Sequence, residues 1–397
     1  MLIISLLAVA ALFLAFSNGA NDNFKGFATV WGSATLDYRR ALIIATVAAV
    51  AGSIASVMIA NGLVKQFSGK GLVPDDVANL PSFALAVAAG AATTVMIATR
   101  VGLPISTTHA LVGGLVGAGF ASGTGAVDIS QLGKAFFLPL LLSPVISALF
   151  GLIAYKVLPK YRAETDCVCV VESAPAANGA ALTKTMAMPE VVIGSEKDCP
   201  VHGEVIARTT VSGALDKVHI MSAATICFAR SVNDTPKLAA LLLAANLGSP
   251  NLSLIAIAGA MALGGIILSR RVAETMSQKI TALTPQQGVP ANIITAILVL
   301  AASKFGLPVS TTHVAVGAIS GVGAGAGTLS FATVRTILLS WVGTLPLPMS
   351  SAASLADRAV YSAVGASSAA GFSNQTSTAP LSLIVSGRPR RSTVLPA

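Results

Sequence analysis

The chain has 397 residues, 54% of them hydrophobic and 10% charged, with a mean hydropathy of +0.79 and a formal net charge of +9. That composition excludes an ordinary soluble domain and predicts a polytopic membrane protein. The basic residues are scattered over loops and form no stripe, so a positive-inside bias accounts for the charge and nucleic acid is not an expected partner.

The opening MLIISLLAVAALFLAF lacks the basic start of a secretory signal and is read as a first membrane helix. Further nearly uncharged runs cover 41–60, 83–99, 135–155, 252–268 and 331–347, each close to the roughly 20 residues a helix needs to cross the hydrocarbon. Shorter apolar pieces at 219–229, 238–247 and 291–302 suggest broken or tilted helices. Gly and Ala abound throughout, which suits closely packed membrane helices. Four segments are expected: a first transmembrane repeat (1–158), a cytoplasmic loop (159–218), a second repeat (219–348) and a polar, Ser/Ala-rich tail (349–397). Lys156, Lys160, Arg162 and Lys217 flank the loop and place it on the cytoplasmic side, with the N-terminus outside.

Behind the first apolar run stands FSNGANDNFKG, residues 16–26, where Asp22 and Lys25 are the only ionisable side chains of the first 36 positions. ARSVNDTPKLA at 229–239 repeats the Asn-Asp pair and the lysine three residues after it. A charge within a membrane helix costs at least about 2.5 kcal/mol, so it usually meets a partner or a wet cavity. On a helix Asn21, Asp22 and Lys25 share a face, as do Asn233, Asp234 and Lys237. The plain alternative is a neutralised ion pair near a helix end; its recurrence at matching places in two halves argues for a function.

GLPISTTHALVGGLVGAG at 102–119 aligns without gaps on GLPVSTTHVAVGAISGVG at 306–323, with eleven of eighteen positions identical. The pattern suits a hairpin that enters the membrane and turns back, with Pro104 and Pro308 able to open a helix. Ser106, Thr107 and Thr108, and in the second copy Ser310, Thr311 and Thr312, then form nests of donors at helix N-termini, where anions bind. Hydroxyls that merely bond back to their own helix are the competing reading. His109 and His313 could orient a neighbour, carry a proton or be structural. Two matched halves around a polar centre mark a secondary transporter. An intramembrane hydrolase built on Ser106 and His109 would leave the duplication unexplained, and a channel would not need fixed charges and oxyanion nests.

The paired N-D clusters and P-x-S-T-T-H hairpins together resemble the inorganic phosphate transporter family, which holds sodium- and proton-coupled phosphate permeases and some sulfate permeases. The resemblance covers about residues 1–348 apart from the central loop. It implies an all-α membrane fold of two inverted repeats with re-entrant helical hairpins, no enzymatic activity, and a phosphate site shared between the halves. It implicates Asn21, Asp22, Ser106, Thr107, Thr108, Asn233, Asp234, Ser310, Thr311 and Thr312, with Asp22 and Asp234 as coupling residues. Where the family usually carries an asparagine, this chain has Lys25 and Lys237. These ammonium groups are expected to supply fixed positive charge and to weaken sodium coupling or replace it by proton coupling. The expected function is phosphate import by a cation-coupled symporter of the inner (plasma) membrane, with proton or sodium as coupling ion and a sulfate permease as the alternative. The expected partners are inorganic phosphate and the lipid bilayer, with a homodimer as an open option.

Two further expectations concern the loop and the tail. Cys167, Cys169, Cys199 and His202 offer four ligands for a zinc ion, against reduced thiols in a loose cytoplasmic loop. The family normally finishes with a hydrophobic helix after the pattern seen here as WVGTLP at 341–346, whereas this chain runs into MSSAASLADRAVYSAV, too polar to cross comfortably. A missing last crossing and a shifted reading frame are the two readings of that departure.

Overall fold

A computed structural model of the protein describes residues 2–59, 61–122, 127–158, 166–172, 189–195, 204–243 and 250–356. Apolar sequence sets the first element, α1 (Leu2–Asp22), which meets no charge until its last residue and gives way to a 3-10 turn at Lys25–Phe27. Helix α2 (Tyr38–Ile59) starts where the Asp37 carboxylate accepts the Arg40 N–H at 3.0 Å, satisfying a first-turn donor. A helical hairpin follows, α3 (Pro81–Val101) and α4 (Thr107–Ala121), and then α5 (Leu138–Val157). The second half holds α6 (Val211–Leu243), α7 (Pro250–Leu268), a second hairpin of α8 (Pro285–Lys304) and α9 (Thr311–Ala326), and α10 (Phe331–Gly343). A last helix, α11, covers 346–356.

The sequence duplication is also structural. The two hairpins begin 204 residues apart, at Pro81 and Pro285, and both turn on a left-handed glycine, Gly102 (φ 80°) and Gly306 (φ 67°), a conformation without penalty only for a residue lacking Cβ. The halves exchange partners. Helix α1 packs on α3 of its own half and on α7 of the other; α6 packs on α8 of its own half and on α2 of the other. The closest approach joins α1 to α7, where a Cβ on Gly264 would collide with Phe16 O.

Several expectations change. The apolar piece at 219–229 and the described part of the next, 238–243, belong to one continuous 33-residue helix, α6, because the polar run between them is helical and buried, and Pro236 is accommodated inside it; residues 244–247 lie outside the described residues. The piece at 291–302 is the middle of the 20-residue α8. The prolines open neither hairpin helix: Pro104 and Pro308 lie in the extended linker, and Ser106 and Ser310 cap α4 and α9 by accepting the N–H of His109 (3.1 Å) and His313 (3.2 Å).

The central segment departs from an all-α fold. It carries a three-stranded antiparallel sheet in the order β2-β1-β3, built from β1 (Asp166–Glu172), β2 (Pro189–Ser195) and β3 (Glu204–Thr210), and β3 leads directly into α6 at Val211, ahead of the expected boundary at 219. Alternation along β1 puts Cys167, Cys169 and Val171 on one covered face.

The start of the tail is ordered as well. Helix α11 lies against α4, where Gly113 and Gly117 admit the backbone of Leu345 and Met349, just as Gly317 and Gly321 of α9 admit Pro144 and Ala148 of α5. Its polarity is concealed, because the hydroxyls of Ser350 and Ser351 bond back to Leu347 O at 3.0 and 2.9 Å, while Ala352 and Ala356 are buried. The remainder of the tail, residues 357–397, lies outside the described residues.

Among the described residues five helical stretches are long and apolar enough to cross a membrane, and six if α7 and its continuation Arg270–Lys279, bent by 68°, count as one. Helix α6 falls outside that group because of its buried polar middle. Outward-facing rows such as Ile43, Val47, Ile54 and Met58 on α2 and Leu141, Val145, Leu149 and Ile153 on α5 are exposed, as lipid contact requires.

Candidate substrate and coupling site

The two N-D clusters and the two hairpin turns meet in the interior. Asp22, Lys25, Asn233, Asp234 and Lys237 are each at most 3% exposed, a placement that is stable only if each charge is matched. Lys25 Nζ donates to Asn21 Oδ1 (2.7 Å), to Asp22 Oδ1, to Ile105 O (2.8 Å) and to Thr312 Oγ1 (2.7 Å). Lys237 repeats the arrangement in mirror sense. Its Nζ meets Asn233 Oδ1, Asp234 Oδ1 (3.4 Å), Val309 O (3.0 Å) and Thr108 Oγ1 (2.8 Å). Each lysine thus holds the turn of its own half by a carbonyl and the helix start of the other half by a threonine hydroxyl.

A second layer fixes the amides. Asn21 Nδ2 donates to Thr99 Oγ1 (2.9 Å) and Leu103 O (3.1 Å), and Asn233 Nδ2 donates to Ser303 Oγ (2.8 Å) at the equivalent place on α8. Both amide oxygens are therefore aimed at the lysines. The threonine protons go to main-chain carbonyls, Thr312 to Ile105 O (2.9 Å) and Thr108 to Val309 O (3.2 Å), which leaves their oxygens free to accept from the ammonium groups. The turns also touch through their histidines: the rings of His109 and His313 lie 4.5 Å apart edge to face, and His313 stacks on Trp341, whose Nε1 donates to Pro104 O (3.3 Å).

The structure gathers Asn21, Asp22, Lys25, Thr108, Asn233, Asp234, Lys237 and Thr312 into one constellation. Ser106 and Ser310 are buried and cap their own helices by accepting an N–H, which leaves each hydroxyl proton available to donate. Thr107 accepts from Asn18 Nδ2 at 2.9 Å, and Thr311 is buried at the first turn of α9.

The residue that sequence reasoning left out of the site is Arg230. It is 1% exposed, and its Nη1 lies 3.9 Å from Asp22 Oδ2 and 3.8 Å from Asp234 Oδ2, between the carboxylates of the two halves. None of its three guanidinium nitrogens has a hydrogen-bond partner, nor has Asp234 Oδ2. The spacing that relates Asp22 to Asp234 and Lys25 to Lys237 pairs Arg230 with the uncharged Asn18, so the duplication does not flag it; the available signal was that Arg230 is one of only three charged side chains in the stretch 219–247, one helical turn before Asp234. Two carboxylates face three cationic groups, an excess of one positive charge in a closed interior. Such an arrangement suits an anion.

Comparison with known proteins decides the class. Residues 18–352 match the phosphate transporter family. The chain belongs to the phosphate transporter family. It is 29% identical to the chloroplastic inorganic phosphate transporter 2-1 of Arabidopsis thaliana, over 84% of this chain and 68% of that protein. It is 30% identical to a protein named as a phosphate permease in Haemophilus influenzae, over 85% and 92% of the two chains. A solved structure described as the sodium-dependent phosphate transporter shares the fold with a TM-score of 0.71 at 23% identity, covering 90% of this chain and 98% of that one. As a phosphate transporter family member the chain is a multi-pass membrane protein and a transporter, not an enzyme.

The zinc expectation does not gather around a described centre. Cys199 and His202 lie outside the described residues, Cys169 is disulfide-bonded rather than a thiolate, and among the described residues no group of three or more His, Cys, Asp or Glu converges. The disulfide also departs from the expectation of reduced thiols. Cys167 is itself a thiol, its sulfur 3.8 Å from that of Cys169 on the covered face of the sheet and so too far to be the disulfide partner.

Proposed function

We propose that this transporter imports inorganic phosphate across the inner (plasma) membrane as a cation-coupled symporter, and that it binds the anion between the two N-D clusters and the two hairpin turns. The carrying observation is the buried constellation in which Lys25 and Lys237 tie each half to the other beside an arginine with no hydrogen-bond partner. Alternating access is then a movement of one helical unit against another around this centre. The exchanged packing of α1 on α7 and α6 on α2 supports a pair of inverted repeats, and the short helices α4 and α9 support re-entrant hairpins.

Phosphate is favoured over sulfate by acceptor chemistry. At neutral pH phosphate keeps a proton and can donate it to a carboxylate oxygen such as Asp234 Oδ2, which accepts no hydrogen bond, whereas sulfate carries none. Uptake of labelled phosphate into proteoliposomes, with excess sulfate present, tests the reading. Gradient-driven accumulation indifferent to sulfate is expected. Absence of uptake under either a proton or a sodium gradient refutes transport, and strong competition by sulfate moves the substrate to the alternative.

A further inference from the structure

We infer that Lys25 and Lys237 are tethered stand-ins for bound sodium, each ammonium filling an oxygen cage of the kind a sodium ion would occupy, so that the protein neither binds sodium there nor uses it as the coupling ion. The inference rests on the transport reading above and narrows it by excluding sodium as the coupling ion.

The donor sets carry the argument. Around Lys25 Nζ stand one amide oxygen (Asn21), one carboxylate oxygen (Asp22), one main-chain carbonyl (Ile105) and one hydroxyl (Thr312). Around Lys237 Nζ stand the same four types, from Asn233, Asp234, Val309 and Thr108. All eight are oxygens, two are anionic and two are main-chain carbonyls, which is the ligand chemistry of hard cations. An ammonium has three protons to offer and needs no such enclosing shell for an ordinary helix-surface pair with an aspartate three residues away. Each cage also draws on both halves of the molecule, so whatever cation sits in it links the hairpin of one half to the first helix of the other. In a carrier driven by a free ion that link forms when the ion arrives; here the chain supplies the ion on its own side chain.

The occupied cages leave no space. Each Nζ has four oxygens within 3.4 Å and each lysine is at most 3% exposed, so a metal ion could enter only by displacing the ammonium from its buried partners. With Arg230 counted, the fixed cations already exceed the two carboxylates by one, and an incoming anion meets positive charge without any ion bound beforehand.

Two measurements on the purified full-length protein test this. Equilibrium binding of radioactive sodium should show no saturable site in the wild type, and Lys25→Ala and Lys237→Ala should each gain one. Saturable binding by the wild type overturns the inference whether or not phosphate is transported, and silence in both variants, each confirmed monodisperse in detergent, overturns the cage assignment. In proteoliposomes, replacing sodium by an organic cation should change wild-type phosphate uptake by less than about twofold, since a twofold change is a small fraction of the factor of ten that 1.4 kcal/mol represents. A tenfold loss on removing sodium would reject the inference while leaving phosphate transport intact.

Discussion

Lys25 Nζ lies 2.7 Å from Thr312 Oγ1, although 287 residues separate them, and Lys237 Nζ lies 2.8 Å from Thr108 Oγ1 in the reciprocal contact. Both contacts join one half's first helix to the other half's hairpin. Replacing either threonine by valine keeps the shape and removes the acceptor, leaving a buried ammonium short of one partner at a cost of about 1–3 kcal/mol. Thr108→Val and Thr312→Val should each reduce the rate of phosphate uptake by about tenfold or more with the protein still folded. Uptake within twofold of wild type in both would show that the cross-half contacts are incidental.

The ion pairs predict a compensation. Asp22→Asn alone leaves Lys25 as an uncompensated buried charge and should destabilise the protein by about 3–5 kcal/mol, the cost of breaking a buried pair. Lys25→Met added to Asp22→Asn should recover part of that loss. Thermal unfolding of the four proteins in detergent gives the double-mutant cycle, and strict additivity would mean that the pair is not coupled.

Arg230 should separate stability from affinity. Its guanidinium has no hydrogen-bond partner, so Arg230→Met removes a costly buried cation and should leave thermal stability unchanged or raised. The same change removes the excess positive charge and should raise the KM for phosphate by about tenfold or more, the scale of one charge-assisted contact of about 1.5–3 kcal/mol. A large drop in stability with unchanged KM would make Arg230 a structural brace.

The capping serines should behave in the opposite way. Ser106→Ala and Ser310→Ala each remove a side-chain acceptor for a first-turn N–H and should cost about 1 kcal/mol of stability. Transport measured at saturating phosphate should be nearly unchanged. A change in KM without a change in stability would assign the hydroxyls to the anion.

Much of the site could be read from the chain because the duplication marks it twice. A single Asp-Lys pair could have been an isolated bridge; its copy at Asp234 and Lys237, with the S-T-T-H copies, pointed to one shared centre. Arg230 escaped because its counterpart is the uncharged Asn18, so the comparison of the halves shows nothing charged to match. The capping role of Ser106 and Ser310 was hidden for a local reason: an S-T-T run offers several hydroxyls as the cap, and only the geometry tells which one accepts the first-turn N–H.

Elsewhere composition was a poor guide. Hydropathy broke α6 into pieces, because the residues that interrupt the apolar pattern between 229 and 238 are buried among partners instead of facing lipid. It also misplaced the onset of the tail, where serines that look polar in a sum return their protons to Leu347 O and glycines of α4 receive the helix.

By itself, then, the sequence determined the membrane-embedded helical class, the twofold repetition and the residue types of the polar centre, since these follow from local hydropathy and from identity between copies. Only the tertiary structure decided which partner each charge takes, that Lys25 and Lys237 are each held by both halves, and that an arginine stands between the two aspartates. Those are properties of distances between segments about 80 to 290 residues apart, and such distances are fixed by close helix packing rather than by any local pattern.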